Sequence, residues 1–262
     1  MSVPAAFYEP LGGDRFRSTA ATGGPWDLRL QHAGPPSALL ARAFERCRPH
    51  PDLRLVRMTT DILGPVPVAE LTVRARVARA GRRVELLDGV VEADGREVLR
   101  GSAWRIATTA AGSAPLVPEP GTPPPLPPEQ PTTFWPGAQV AGYIAAIEWR
   151  FADGSFATAG PARVWTRPKL PLVVGEDVSA LGRVLLVADS GSGVSAELDL
   201  QDWLFINTDL TVLLHRHPAG AWVCMESRTR IDADGIGMAE TRLSDGDGRI
   251  GRALQSLLVA PR

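Results

Sequence analysis

The 262-residue sequence predicts an α+β fold in which one apolar helix is wrapped by antiparallel hairpin strands, the whole unit occurring twice. Three observations carry the prediction. An apolar helical run precedes period-two strands in the first 110 residues, the same order recurs after residue 131, and a proline-rich stretch lies between. Parallel βαβ units would need a helix after each strand, and the hairpin-like spacing leaves no room for one.

The first helix is predicted over about 35–47. Pro35-Pro36 suits a first helical turn, where the missing N–H is not needed, and Ala38, Leu39, Leu40, Ala41 and Phe44 make the run apolar on most sides. After Pro49 and Pro51 the period changes to two: Leu71, Val73, Ala75 and Val77 alternate with Thr72, Arg74, Arg76 and Ala78. Strand-like runs follow at Val84–Val91 and Val98–Ile106, with turns at Ala80-Gly81 and Asp94-Gly95. From Pro115 to Pro131, nine of seventeen residues are proline, which reads as a semi-rigid connector. The expected organisation is therefore an N-terminal unit over 1–110, a linker over 111–131 and a C-terminal unit over 132–262. The second unit offers a helix over about 176–189, then strands near Leu204–His215, Trp222–Ile231, Met238–Leu243 and Ile250–Val259. Two such sheets are expected to join edge to edge, and a homodimer or larger assembly to cover what remains exposed.

Composition narrows the function. A formal net charge of -1 gives no electrostatic footprint for nucleic acid or an anionic membrane surface. Two cysteines without ligand spacing argue against a disulfide scaffold, and no apolar run is long enough to span a bilayer. Met1-Ser2-Val3-Pro4 opens no signal-peptide pattern, so a soluble cytoplasmic protein is expected, without membrane insertion. There is no G-x-S-x-G elbow and no P-loop. Gly191-Ser192-Gly193-Val194-Ser195-Ala196 imitates a dinucleotide fingerprint, but hairpins follow it rather than a parallel strand. His215-x-His217 lacks a third ligand, so no metal is expected.

The two copies differ in a few polar residues. Laying Ser179-Ala180-Leu181-Gly182 on Ser37-Ala38-Leu39-Leu40, and Asn207-Thr208-Asp209 on Thr59-Thr60-Asp61, sets Asp189 against Cys47, Asn207 against Thr59 and Gln255 against Trp104. Polar gains confined to the second copy point to chemistry kept there. Asp189 ends the run Val184-Leu185-Leu186-Val187-Ala188, where a carboxylate loses hydration and strengthens as a base; spacing alone equally allows a solvated helix-end cap. Gln255, among Ala253, Leu254 and Leu257, suits orienting a nucleophile or an open strand face. Asn207 lies two residues before Asp209, so both are expected on one face, in a site or in a strand-end hydrogen bond. At the first helix start, Pro35 and Pro36 leave Ala33, Gly34 or Ser37 to supply amides for an oxyanion, with Gly34 the preferred donor and His32 beside it, at the substrate or merely completing a loop.

These phrases, with Gln31-His32-Ala33-Gly34-Pro35-Pro36, Ala188-Asp189-Ser190-Gly191, Phe205-Ile206-Asn207-Thr208-Asp209-Leu210-Thr211-Val212 and Arg252-Ala253-Leu254-Gln255, resemble the acyl-CoA thioesterase II family over nearly the whole chain. The resemblance implies a double hotdog fold, two tandem antiparallel sheets each wrapped on a central helix. It also implies a water-activating triad from the second unit, falling on Asp189, Asn207 and Gln255, with Asn207 where better-known members carry Thr. The implied activity is hydrolysis of a fatty acyl-CoA or related thioester to free acid and CoA, without a cofactor. Two rivals stand beside it. One is a non-catalytic acyl-binding protein; the other is a hotdog hydratase or dehydratase, which wants an Asp/His pair, and the Asp189 helix contains no His.

Overall fold

The computed structural model describes residues 4–109, 113–114, 116–117, 119–135 and 140–262. Its strands are β1 (Tyr8–Gly12), β2 (Arg15–Ser18), β3 (Leu53–Ile62), β4 (Glu70–Arg79), β5 (Val84–Ala93), β6 (Arg96–Ala107), β7 (Ile147–Asp153), β8 (Ala162–Pro168), β9 (Trp203–Asn207), β10 (Asp209–Leu214), β11 (Val223–Ile231), β12 (Ile236–Asp245) and β13 (Gly248–Pro261). The helices are α1 (Gly34–Arg46), α2 (Gly142–Ala146), α3 (Ala180–Ala188) and α4 (Gly191–Val194). All thirteen strands form one antiparallel sheet, in the order β1-β2-β4-β5-β6-β3-β10-β13-β12-β11-β8-β7, with β9 also paired to β13. That order reads the same from either end when first-half strands are exchanged for second-half ones, so the join between β3 and β10 acts as a pseudo-twofold axis. There Thr59 lies opposite Thr211, with the two hydroxyls 3.0 Å apart.

Helices α1 and α3 lie against each other and pack on this sheet. Gly34, opening α1, is packed against the Leu186 carbonyl near the end of α3, while Glu45 near the end of α1 lies beside Ser179 at the α3 start. The helices are therefore antiparallel. The faces of α1 bearing Leu39, Leu40 and Phe44, and of α3 bearing Val184 to Ala188, share one core with the inward residues of the sheet. The sheet's far edge closes back on the other half: Tyr8 N–H donates to Leu172 O at 2.9 Å and Val174 N–H to Tyr8 O at 3.0 Å.

Strand registers correct the sequence alignment of the two halves. Ala93 and Arg96 close the β5–β6 turn as Asp245 and Gly248 close β12–β13, and each pair is preceded by the same irregularity, between Val91 and Glu92 and between Leu243 and Ser244. A further shift between Leu55 and Arg57 in β3 matches the break between Asn207 and Asp209. By register, Asn207 therefore matches Leu55 rather than Thr59, and Gln255 matches Ala103 rather than Trp104. Cys47 and Asp189 still correspond, as the C-caps of α1 and α3.

The predicted strand over 204–215 is two strands, because Thr208 is extruded as a bulge. The bulge re-aims its neighbours: Leu210 and Phe205 turn inward, Asn207 shares the inward face with Phe205, and Asp209 turns outward to accept from Ser256 N–H at 3.1 Å. Asn207 and Asp209 are thus on opposite faces, contrary to simple alternation. The proline-rich segment also differs from a spacer. Residues 111, 112, 115 and 118 of the predicted linker lie outside the described residues. The rest lies along the second half of the sheet. Glu119 pairs with Arg252, Pro124 O accepts from Trp165 Nε1–H at 3.1 Å, Pro127 O accepts from Arg150, and Gln130 Nε2–H donates to Phe151 O at 2.8 Å. Its carbonyls serve as acceptors, which proline retains. No helix among the described residues is long and apolar enough to cross a membrane.

Candidate active site

The end of α3 and the start of α1 meet at one point, and the sequence-predicted residues gather there. Asp189 is 5% exposed and Gln255 2% exposed. Asp189 Oδ1 accepts from Asn207 Nδ2–H at 2.8 Å and from Gln255 Nε2–H at 3.2 Å. Gln255 Nε2–H also donates to the Asp189 backbone O at 2.9 Å, and Gln255 Oε1 accepts from Ser192 N–H at 3.0 Å. Gln255 lies mid-sheet, opposite Ala239 of β12, rather than on an edge. Its amide is committed to protein partners on both ends, so it fixes the carboxylate and the α4 start from behind. Gly191 allows this approach: a Cβ there would come within 2.6 Å of Thr241 Oγ1 and 3.0 Å of Gln255 Oε1.

His32 reaches the cluster from the first half. Gln31 anchors its loop, accepting from Tyr8 O–H at 2.6 Å and donating through Nε2–H to Pro67 O at 2.7 Å. The imidazole is stacked on Tyr143 of α2, with centroids 3.7 Å apart and planes 6° from parallel. Tyr143 O–H donates to Leu186 O at 2.9 Å and lies 2.7 Å from Ser190 Oγ. His32 Nδ1 is 3.2 Å from Asp189 Oδ2 and accepts from Gly34 N–H at 3.1 Å. Burial holds the His32 pKa below its usual value, partly opposed by the Asp189 charge. Burial likewise pushes the Tyr143 hydroxyl far up, so it stays protonated.

Gly34 was the expected oxyanion donor, but its amide is taken by His32. A Cβ at this position would fall 2.3 Å from Leu186 O, so Gly34 instead lets the two helices touch. Ala33, one residue earlier, lines the cavity, and its N–H has no hydrogen-bond partner among the described residues. Sequence reading also missed Tyr143, since a lone Tyr after the linker gives no periodic signal.

The cluster forms the polar end of a cavity of about 490 Å³. Trp26, Leu30, Ile62, Trp135, Phe156 and Phe205 supply apolar walls, while His32, Ala33, Asp189, Ser190 and Asn207 supply the polar patch. Both halves contribute. The dinucleotide-like glycines sit in α4 and the following strand pairs antiparallel with β13, which excludes that fingerprint. His217 is held by its Nε2 at 2.6 Å from Leu55 O. A largely apolar cavity with a buried, amide-bound carboxylate in its lining suits hydrolysis of an acyl compound.

Comparison with known proteins agrees. The sequence profile of the acyl-CoA thioesterase N-terminal domain matches residues 22–106, and that of the C-terminal domain matches residues 118–259. The chain belongs to the acyl-CoA thioesterase family and is a thioester hydrolase. No curated protein matches it. Among solved structures, a hot dog fold protein of Alicyclobacillus acidocaldarius superposes with TM-score 0.71 at 16% identity, covering 97% of this chain and 95% of that one. The acyl-CoA thioesterase II TesB2 of Mycobacterium marinum gives 0.65 at 14%, covering 97% and 94%. The tesB protein of Mycobacterium avium subspecies paratuberculosis gives 0.66 at 15%, covering 97% and 96%. These likenesses establish a hotdog fold. In this chain a histidine does meet Asp189, from the other half, so its absence from α3 no longer separates hydrolase from the hydratase rival. The family match does.

Proposed function

We propose that the chain hydrolyses a fatty acyl-CoA or related acyl thioester to the free acid and CoA, with Asp189 taking the proton of the attacking water. The observation that carries this is the division of labour at the Asp189 carboxylate. Oδ1 is held by Asn207 and Gln255, leaving Oδ2 as the oxygen able to receive a proton. Because Gln255 is wholly engaged, it acts as a positioning residue, while Asn207 and Asp189 both line the cavity. The acyl chain lies along the apolar walls and the thioester carbonyl points its oxygen at the Ala33 amide, which becomes the oxyanion donor in place of Gly34.

In this reading the chain is a double hotdog, with units over 1–110 and 132–262, and the site lies between them. It is a cytoplasmic homo-oligomer of fatty acid metabolism. Leu258 and Ile236, opposite one another in β13 and β12 and 53% and 71% exposed, are apolar surface that a partner copy would cover. Steady thiol release from a panel of acyl-CoAs, read with a thiol-reactive dye, is the expected result. Ligand retention without thiol release would replace hydrolysis by acyl binding, and a sedimentation mass of one chain at micromolar concentration would remove the oligomer.

A further inference from the structure

Thioester hydrolysis needs two proton transfers, and Asp189 accounts for only one. The attacking water must lose a proton, and the sulfur of a CoA-type thiolate leaves as a strong base unless it gains one. The structure places a second titratable group against Asp189 without giving it a task. His32 Nδ1 accepts from Gly34 N–H at 3.1 Å, which leaves the ring proton on Nε2. The same Nδ1 is 3.2 Å from Asp189 Oδ2. Two acceptors at that distance repel while both are bare, and attract once a single proton lies between them. Nε2 has no hydrogen-bond partner among the described residues, and His32 lines the cavity. The Tyr143 stack and the Gln31 anchors hold the ring plane in that pose.

We propose that His32 is the acid that protonates the departing sulfur, passing on through Nε2 the proton that Asp189 has taken from water. The proposal rests on the reading of Asp189 as the base. The water oxygen bonds to the acyl carbon, the carbonyl π pair moves onto oxygen, and the water proton goes to Asp189 Oδ2. The oxyanion then reforms the carbonyl and the C–S bond breaks, its electron pair staying on sulfur. Sulfur takes the Nε2 proton of His32 as Asp189 Oδ2–H delivers its proton to Nδ1. The ring is left with its proton on Nδ1, facing the carboxylate, and returns to the starting tautomer by exchange at Nε2 with solvent and loss at Nδ1. Burial keeps the ring neutral between turnovers, which is the state the relay needs.

The test varies the leaving group. His32→Asn keeps an acceptor for Gly34 N–H but has no group in the place of Nε2. Against acyl-CoA it should lose roughly 10²–10⁴-fold in kcat, whereas against the acyl thioester of thionitrobenzoate, whose thiolate departs unaided, the loss should shrink below about tenfold. Asp189→Asn should lose both substrates alike, because attack still needs a base. Equal losses by His32→Asn on the two substrates, or no loss on either, overturn the relay while leaving Asp189 in place. If Asp189→Asn keeps both activities, the reading of the base fails instead. Should His32→Asn not fold, the parental enzyme decides: across alkyl and aryl thioesters of rising thiol acidity, kcat/KM should change little. A steep rise with thiol acidity overturns the proposal.

Discussion

Asn207 and Asp209 stand two residues apart in the chain and on opposite faces of the sheet. The Thr208 bulge between them sends the Asn207 amide to Asp189 Oδ1 at 2.8 Å and the Asp209 carboxylate outward to Ser256 N–H at 3.1 Å. The first half carries the same irregularity at Leu55 and Arg57, yet there the inward residue is a leucine. The bulge therefore belongs to the scaffold, and the second half alone has put a hydrogen-bonding side chain on it.

Asp189→Asn is expected to fold normally and to lose roughly 10²–10⁴-fold in thiol release, the usual worth of a general base. The substitution is isosteric. Its amide oxygen still accepts from Asn207 and Gln255, and its NH₂ meets the bare His32 Nδ1, so no buried polar group is stranded. Near-parental thiol release with unchanged fold and assembly would remove Asp189 from the mechanism.

Gln255→Ala and Asn207→Ala should part company. Both reduce turnover less than Asp189→Asn, because each only orients the carboxylate. Gln255→Ala also strands the buried Asp189 carbonyl, so it should cost about 1–3 kcal/mol in denaturant unfolding. Asn207 is half-buried beside the cavity, where water replaces its amide, so its removal should leave stability within about 1 kcal/mol of the parent. Equal stabilities for the two variants would contradict the placement of Gln255 behind the site.

Much of this was legible in the sequence. Apolar runs at Ala38–Phe44 and Val184–Ala188 are continuous enough to give both helices, and period two gives β4, β5 and β11 to β13. Asp189, Asn207 and Gln255 stand out from the comparison of the two halves and from the family resemblance, even though register pairs Asn207 with Leu55 and Gln255 with Ala103; their side chains do meet. The failures are also physical. Periodicity counts residues, and a bulge changes the count, so Thr208 misdirected both the Asn207 face and its match in the first half. The strands β1, β2, β7 and β8 are short or carry charges on one face, giving little signal. That His32 meets Asp189 depends on antiparallel helix packing, which no local pattern encodes.

The equivalent place in the first half is closed by a buried ion pair, and this yields a contrast. Arg105, matching Leu257 by register, is bonded to Glu85 and donates to the carbonyls of Cys47 at 2.9 Å and Arg48 at 3.0 Å, with both side chains almost fully buried. Arg105→Ala would leave the Glu85 charge and those carbonyls unpaired, so it should cost about 3–5 kcal/mol in chemical unfolding. Cys47→Ala, which keeps that pair, should change thiol release hardly at all, because Leu55 and Ala103 offer no polar partners there. A stable Arg105→Ala protein would show that water fills this end of the first half.

The pH dependence of stability offers a check on His32 that needs no substrate. Burial holds its folded pKa below the unfolded value of about 6.5. Above that value both states are neutral and the residue contributes nothing to pH dependence. As pH falls below it, the unfolded chain binds a proton that the folded chain refuses, so the folded state loses ground until the folded pKa is passed. The slope cannot exceed about 1.4 kcal/mol per pH unit for one proton. His32→Asn deletes this penalty. The carboxyls of Glu148, Glu176 and Asp245, held low with the aid of arginine partners, titrate in both proteins and cancel in the difference. Parent minus variant unfolding free energy should therefore be level above about pH 7.5 and fall steadily from about pH 6.5 towards acid. A difference that climbs on acidification would mean that the folded protein holds His32 protonated more readily than the unfolded chain does, and one that stays level that burial leaves its pKa unmoved; either would contradict the buried neutral ring.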